Sequence, residues 1–115
     1  MKLGESGEKE ACAFLKRKGC KILEKNFRAG HGEIDIIARL GKIVLFVEVK
    51  TRASKNFAEP WESVGYRKRK NLKTAAKMYV QQQTRWEEEY RFDVLSITMK
   101  DGSSTAEIEW IQNAF

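Results

Sequence analysis

A single histidine, His31, and two cysteines, Cys12 and Cys20, leave this 115-residue chain almost no nitrogen or sulfur ligands. The cysteines stand too far apart for a Cys-x-x-Cys motif, which excludes zinc fingers, zinc ribbons and dithiol redox centres. Any metal held here must be held by oxygen. Two unbridged thiols also suit a reducing, cytoplasmic location. One proline and eight glycines against 42% apolar residues exclude collagen-like, low-complexity and disordered chains. No run approaches the roughly 18 apolar residues that cross a bilayer, and the opening MKLGESGEKEACAFLKRKG lacks the apolar segment of a signal peptide. A cytoplasmic protein with no membrane partner is expected, and no internal repeat divides it.

What the chain has in excess is positive charge: 22 Lys and Arg against 16 Asp and Glu, a formal net charge of +6. Such a balance suits a polyanionic partner, with nucleic acid foremost. The length suits one domain, residues 1–115, able to bury roughly two thirds of its unfolded surface around a single core.

Ala11, Phe14 and Leu15 recur at helical spacing and Gly19 follows, so a first helix is predicted over 5–18. KILEKNFR reads as a short strand over 21–28. EIDIIARL and KIVLFVEVK read as two more, joined at Gly41 and Lys42 by a tight hairpin turn. After the loop TRASKNFAEP, Pro60 suits the start of a second helix whose apolar stripe is Trp61, Val64, Leu72, Ala75, Ala76 and Tyr79. RFDVLSITM and TAEIEWIQ form a last predicted hairpin around Asp101 and Gly102. The predicted order is αβββαββ.

The central hairpin holds the residues of interest. With a two-residue turn, Leu40 faces Ile43, Asp35 falls across from Glu48, and Glu33 falls across from Lys50. Alternation gives one wholly apolar face: Ile34, Ile36, Ala38, Leu40, Ile43, Leu45, Val47 and Val49. The other face collects Glu33, Asp35, Glu48 and Lys50 at the end away from the turn. Opposed carboxylates repel, and burial raises that cost or keeps one protonated. A divalent cation removes the conflict, because Mg²⁺ takes oxygens at about 2.0 to 2.1 Å and opposed Cβ atoms lie only about 5 Å apart. Lys50 projects toward the same place, where it can position or deprotonate a water or stabilise charge on a phosphate. The alternative is plainer: Glu33 and Lys50 form a cross-strand ion pair, and Asp35 and Glu48 are solvated on an open sheet face.

Two helical residues bear on this choice. Glu8 lies three residues before Ala11 and seven before Leu15, along the buried stripe of the first helix. Lys68 interrupts the stripe of the second, four residues from both Val64 and Leu72. Each has an ordinary alternative, Glu8 favouring a helix N-terminus and Lys68 snorkelling to solvent.

Gly7-Glu8 with Ala11 and Leu15, Asn26-Phe27-Arg28, Gly32-Glu33-Ile34-Asp35, Phe46-Val47-Glu48-Val49-Lys50-Thr51-Arg52, Glu62-Ser63-Val64, Lys68, Leu72, Ala75-Ala76 and Arg91-Phe92-Asp93 together resemble the YraN-type family of uncharacterised bacterial proteins. The likeness runs over nearly the whole chain and departs at residues 56–60, where Phe-Gly is expected before the proline. That family is in turn similar to the PD-(D/E)xK, or restriction-endonuclease-like, superfamily and to archaeal Holliday junction resolvases. The resemblance implies an α/β fold with an αβββαβ core, a mixed central sheet flanked by helices, and an extra C-terminal strand. It matches Asp35 to the superfamily's first strand acid, Glu48-Val49-Lys50 to its E-x-K, and Glu8 to its helix acid.

The function so implied is a metal-dependent endonuclease that hydrolyses phosphodiesters, with Glu8, Asp35, Glu48 and Lys50 as catalytic residues. Asp35, Glu48 and the Val49 carbonyl would hold Mg²⁺ or Mn²⁺. Arg52, Arg67, Lys68, Arg69, Lys70, Lys73 and Lys77 would grip phosphates, or else form a solvated basic face. DNA is the expected partner ahead of RNA; with no zinc finger, recognition-helix signature or aromatic RNA platform, sequence-specific readout is not indicated, and the resemblance implies branched or flapped DNA. Resolvase-like cutting of two strands implies a homodimer. Two other functions fit the same sequence: a nucleic-acid-binding module that does not cut, and a partner-binding protein using Trp61, Trp86 and Trp110.

Overall fold

The computed structural model describes residues 3–52, 65–83, 89–99 and 106–115. It contains helix α1 (Leu3–Arg17), strands β1 (Lys21–Ala29), β2 (Gly32–Leu40) and β3 (Ile43–Arg52), helix α2 (Tyr66–Gln82), and strands β4 (Glu89–Met99) and β5 (Ala106–Ile111). This is the αβββαββ order expected. Pro60, Trp61, Val64, Trp86, residues 56–60 and the turn at Asp101 and Gly102 lie outside the described residues.

The five strands form one sheet in the order β1-β2-β3-β4-β5, antiparallel except for the parallel pair β3-β4. A parallel pair of consecutive strands needs a crossover, and α2 lies within it. The sheet is therefore mixed and flanked by both helices. Among the described residues no helix is long and apolar enough to cross a membrane.

Local chemistry sets the element ends. Gly19, at φ +91°, closes α1, with the Cys20 amide donating to the Leu15 carbonyl at 2.9 Å and the Gly19 amide to Lys16 at 3.0 Å. That is the Schellman arrangement, which needs a left-handed residue where only glycine is unstrained. Gly41, at φ +62°, takes the first position of the two-residue turn between Leu40 and Ile43, as a type II′ hairpin requires.

The central strands β2, β3 and β4 are buried on both faces, because α2 covers the face expected to carry charges at one end. Ile36, Ala38, Leu45 and Val47 pack with Ala11 and Leu15 of α1, and Leu95 and Ile97 of β4 join them. Ile37, Val44 and Phe46 pack on the other side with Leu72, Ala75, Ala76 and Tyr79 of α2. One residue breaks the predicted alternation: Ile34 lies in the α2 cluster, although it is two residues from Ile36 in the α1 cluster. The break falls at Asp35. Across β1, between the pairs Lys25 to Ile36 and Phe27 to Ile34, Asn26 has φ +53°. A left-handed residue inside a strand twists the ribbon locally, and here it separates the two halves of β2.

Two close approaches bring the helices to this twist. A Cβ on Gly7 would collide with the Thr51 side chain, so α1 lies directly on the end of β3. A Cβ on Gly32 would collide with the Asn71 carbonyl of α2. Backbone cannot move aside as a side chain can, so Gly32→Ala is expected to cost about 1–3 kcal/mol of stability by separating β2 from α2. A lowered urea midpoint at unchanged m-value checks this, and an unchanged midpoint would place β2 and α2 further apart than described.

At the far edge, Asp93 is fully buried and accepts hydrogen bonds from Arg91 Nε at 2.9 Å, Trp110 Nε1 at 2.8 Å and the Asn113 amide at 2.9 Å. The Trp110 ring also meets Phe14 edge-on at 5.9 Å. This half-buried tryptophan fastens β5 to β4 and α1.

Candidate functional site

β2 and β3 pair in the predicted register from Leu40 and Ile43 as far as Ile36 and Val47. The ladder ends there, one step short of Asp35 and Glu48. In its place the Val49 amide donates to Asp35 Oδ2 at 2.8 Å, so a side chain takes the hydrogen bond that a strand backbone would have taken. The strands part at the residues that carry the acids, and a cavity of about 410 Å³ opens between them and α2. Its walls include His31, Asp35, Glu48, Arg67, Lys68 and Asn71.

Glu48 is the centre of this cavity's chemistry. Its side chain is only 4% exposed, and a carboxylate so buried needs compensation. Lys68 Nζ lies 2.7 Å from its Oε1, and Lys50 Nζ lies 3.7 Å from the same oxygen. The other oxygen, Oε2, is buried with no hydrogen-bond partner among the described residues. An orphaned buried carboxylate oxygen is costly unless a cation meets it. Glu33, expected opposite Lys50, instead pairs with Arg28 at 3.3 Å. The plain alternative of an open, solvated sheet face does not describe these residues.

The electrostatics record the crowding. Burial, then the Glu48 charge, pushes the Asp35 carboxyl from 3.8 up to about 7; Glu8 adds to the rise, and the Val49 amide and Lys68 oppose it. Lys50 is lowered from 10.5 by burial and by the adjacent Lys68 charge, against the pull of Glu48. For Lys68 burial also acts downward, but its hydrogen bond and charge contact with Glu48 outweigh this and leave it raised.

The Asp35 shift has a definite sign for stability. A carboxyl raised in the folded state keeps its proton to higher pH than in the unfolded chain. The native protein therefore binds more protons between about pH 4 and pH 7, and stability falls as pH rises through that window. Asp35→Asn removes the penalty. The variant is expected to melt several degrees above the parent at pH 8 and to converge with it near pH 4, as read by calorimetric melting at the two pH values. A constant offset at both pH values would show that Asp35 does not titrate in this window.

The donor set fits a hard divalent cation: two carboxylates, one with an unpartnered oxygen, beside the Val49 backbone. It is a two-acid set. Among the described residues no three His, Cys, Asp or Glu side chains converge as a metal cluster. Glu8 acts on Asp35 through its charge but lines a separate groove of about 460 Å³ with Cys12 and Asn26. The helix acid is thus near the site, outside direct reach of the other two.

The cations expected to grip phosphate divide into groups. Arg67 and Lys68 face the carboxylates across the cavity. Arg69, Lys70, Lys73 and Lys77 line a different groove, about 630 Å³, on the outer flank of α2 with Tyr66 and Phe115. Arg52 is half-buried at the end of β3, two residues beyond Lys50. Lys68 is thus tied to Glu48 rather than to the outer basic face. Two wall residues carry no motif that sequence reasoning used: Asn71, and His31 at the tip of the turn between Ala29 and Gly32. His31 had one signal, its place directly before Gly32-Glu33-Ile34-Asp35.

A family model described as uncharacterised protein family UPF0102 matches residues 7–97. The chain is 45% identical over 113 residues to a UPF0102 protein of Caldicellulosiruptor saccharolyticus, with 98% of this chain and 96% of that protein covered. A UPF0102 protein of Syntrophomonas wolfei is 46% identical over 113 residues, with the same coverage. One of Pseudomonas aeruginosa is 40% identical over 113 residues, covering 97% of this chain and 90% of that protein.

Proposed function

Since the chain belongs to the uncharacterised protein family UPF0102, we propose its activity from the site itself: a cytoplasmic, metal-dependent nuclease that hydrolyses DNA phosphodiesters. One observation carries the reading. Glu48, buried with one oxygen unpartnered, stands beside Asp35 where the strands part, with two lysines converging on it. A buried carboxylate oxygen left without a partner is uncommon in a purely structural ion pair and calls for a ligand.

In this reading Asp35, Glu48 and the Val49 carbonyl hold Mg²⁺ or Mn²⁺. When bound, the ion supplies Lewis-acid polarisation of the scissile phosphate and lowers the pKa of a water. The protein's own groups do the rest. The Val49 amide fixes the Asp35 carboxylate at the wall of the cavity. Lys50 orients the attacking water and accepts its proton, a role favoured by its lowered pKa. Arg67 and Lys68 meet the phosphate from α2, and Glu8 keeps the local field negative from α1. The outer row of Arg69, Lys70, Lys73 and Lys77, with Arg52, holds flanking phosphates.

The test is incubation of purified protein with linear, flapped and four-way DNAs in Mg²⁺, Mn²⁺ or EDTA. Cleavage in either metal and none in EDTA is expected. No cleavage of any substrate would leave the second reading, a binding module that does not cut. That reading has its own support, because α2 carries six Lys or Arg and no acid over 17 residues, and four of them line the outer groove, where phosphates can bind with or without chemistry.

A further inference from the structure

We infer that Lys68 is a displaceable counter-ion of Glu48, which occupies the cation's side of the site until a phosphate arrives to receive its ammonium. The inference rests on the metal-dependent reading above and adds a coupling to it: cation and phosphate bind well only together.

The asymmetry of the pair says which partner moves. Glu48 sits mid-sheet on β3 with its side chain 4% exposed, whereas Lys68 reaches in from the first turn of α2 with its side chain 47% exposed. The carboxylate has nowhere to go. The lysine needs only rotation about its own side-chain bonds to leave. Its Nζ is 2.7 Å from Oε1, closer than that of Lys50 at 3.7 Å, so Lys68 is the charge that neutralises Glu48 in the metal-free protein.

A divalent ion bound through Glu48 would lie about 2 Å from a carboxylate oxygen. The Lys68 ammonium would then face a double positive charge within a few ångströms, in a setting that screens poorly. It must withdraw. The cavity offers a second place for it: the wall formed by Arg67, Lys68, Asn71 and His31 can take an anionic phosphate that bridges toward the cation. Phosphate and metal then stabilise each other through one lysine, and linkage makes the effect reciprocal. Without a phosphate the lysine competes with the metal, which keeps the site in a low-affinity state when no nucleic acid is bound.

Calorimetric Mn²⁺ titration of the parent and of Lys68→Met tests this, with and without thymidine 3′,5′-bisphosphate. That probe carries two phosphates and no phosphodiester to cut, and its own Mn²⁺ binding is measured separately. Without the probe, Lys68→Met is expected to bind Mn²⁺ about tenfold more tightly than the parent, because the competing cation is gone. With saturating probe the parent gains more Mn²⁺ affinity than the variant, again by about tenfold. Lys68→Gln, which keeps a donor but no charge, should behave as Lys68→Met. Equal or weaker Mn²⁺ affinity in both variants would overturn the inference while leaving the two-acid cation site intact. Absence of Mn²⁺ binding in the parent and in both variants would overturn the metal-dependent reading and this inference with it.

Discussion

Glu48→Gln is expected to abolish measurable Mn²⁺ binding, and cleavage with it, while the protein remains folded. The amide keeps the shape of the acid but removes the charge and replaces one oxygen with a donor that repels a cation. Glu48 contributes the buried, unpartnered Oε2 as well as the oxygen that Lys68 and Lys50 approach, so its loss dismantles the cation's surroundings at several points. Lys50 and Lys68 both keep part of their side chains in solvent and can turn outward, which limits the cost of leaving them unpaired. Asp35→Asn is expected to weaken Mn²⁺ binding too, with a different pH signature. In the parent, Asp35 must lose its proton before it can ligate, so below about pH 7 each binding event releases close to one proton and affinity falls as pH falls. The carboxyl is already ionised above that pH, and the dependence flattens. Titration in two buffers of different ionisation heat reads the proton release directly. Undiminished Mn²⁺ binding in Glu48→Gln would remove that residue from the site, and proton release unchanged in Asp35→Asn would assign the titrating group elsewhere.

The two acids were legible in the sequence because a two-residue turn leaves no freedom in register: once Gly41 and Lys42 are the turn, Asp35 and Glu48 can only fall at the same level. The structure keeps that register as far as Ile36 and Val47 and departs from it beyond. Strand alternation assumes an even pleat, and Asn26 with its left-handed backbone interrupts the pleat on the neighbouring strand, so Ile34 turns to the α2 side. Nothing in the β2 sequence signals this, since Ile34 and Ile36 are equally apolar. The twist also has a use, because it ends the ladder before Asp35 and leaves the acids facing a cavity instead of each other's backbone. Lys68 was legible only as an interruption of an apolar stripe. Its partner depends on how α2 docks, which the close contact of Gly32 with Asn71 sets and which helical periodicity cannot supply. The same docking divides the α2 cations between two grooves, a separation invisible in a run written Arg67-Lys68-Arg69-Lys70. Asp93 shows the opposite case. It stood in the sequence only as part of a family-like string, and its burial under Trp110, Arg91 and the Asn113 amide gives it a structural task away from the acids.

Lys50→Ala is expected to lower cleavage by at least about two orders of magnitude, the scale on which a positioned acid-base or charge-stabilising group acts, while Mn²⁺ and DNA affinity stay near those of the parent. The carboxylates that hold the cation remain, and Lys68 still neutralises Glu48 in the free protein. What goes is an amine whose pKa is lowered, by burial and by Lys68, so that its neutral form is reached at lower pH than for an ordinary lysine. If Lys50 accepts the water's proton, cleavage by the parent should rise with pH as that neutral form grows, and Lys50→Arg should fail to restore activity, because a guanidinium stays protonated throughout. If Lys50 serves only as a positive charge, Lys50→Arg should recover much of the rate and the pH dependence should come from Asp35 alone. Substitutions on the outer flank of α2 give the contrast. Lys70→Ala and Lys73→Ala lie in the groove away from the acids, so each is expected to weaken binding to every DNA sequence and to reduce the salt slope by about one, with little change in the rate at saturation. Single-turnover cleavage at saturating protein separates the two effects. Parent-like cleavage by Lys50→Ala would remove it from the chemistry, and a rate loss at saturation in Lys73→Ala equal to that of Lys50→Ala would show that the outer groove, and not the β2-β3 cavity, holds the scissile phosphate.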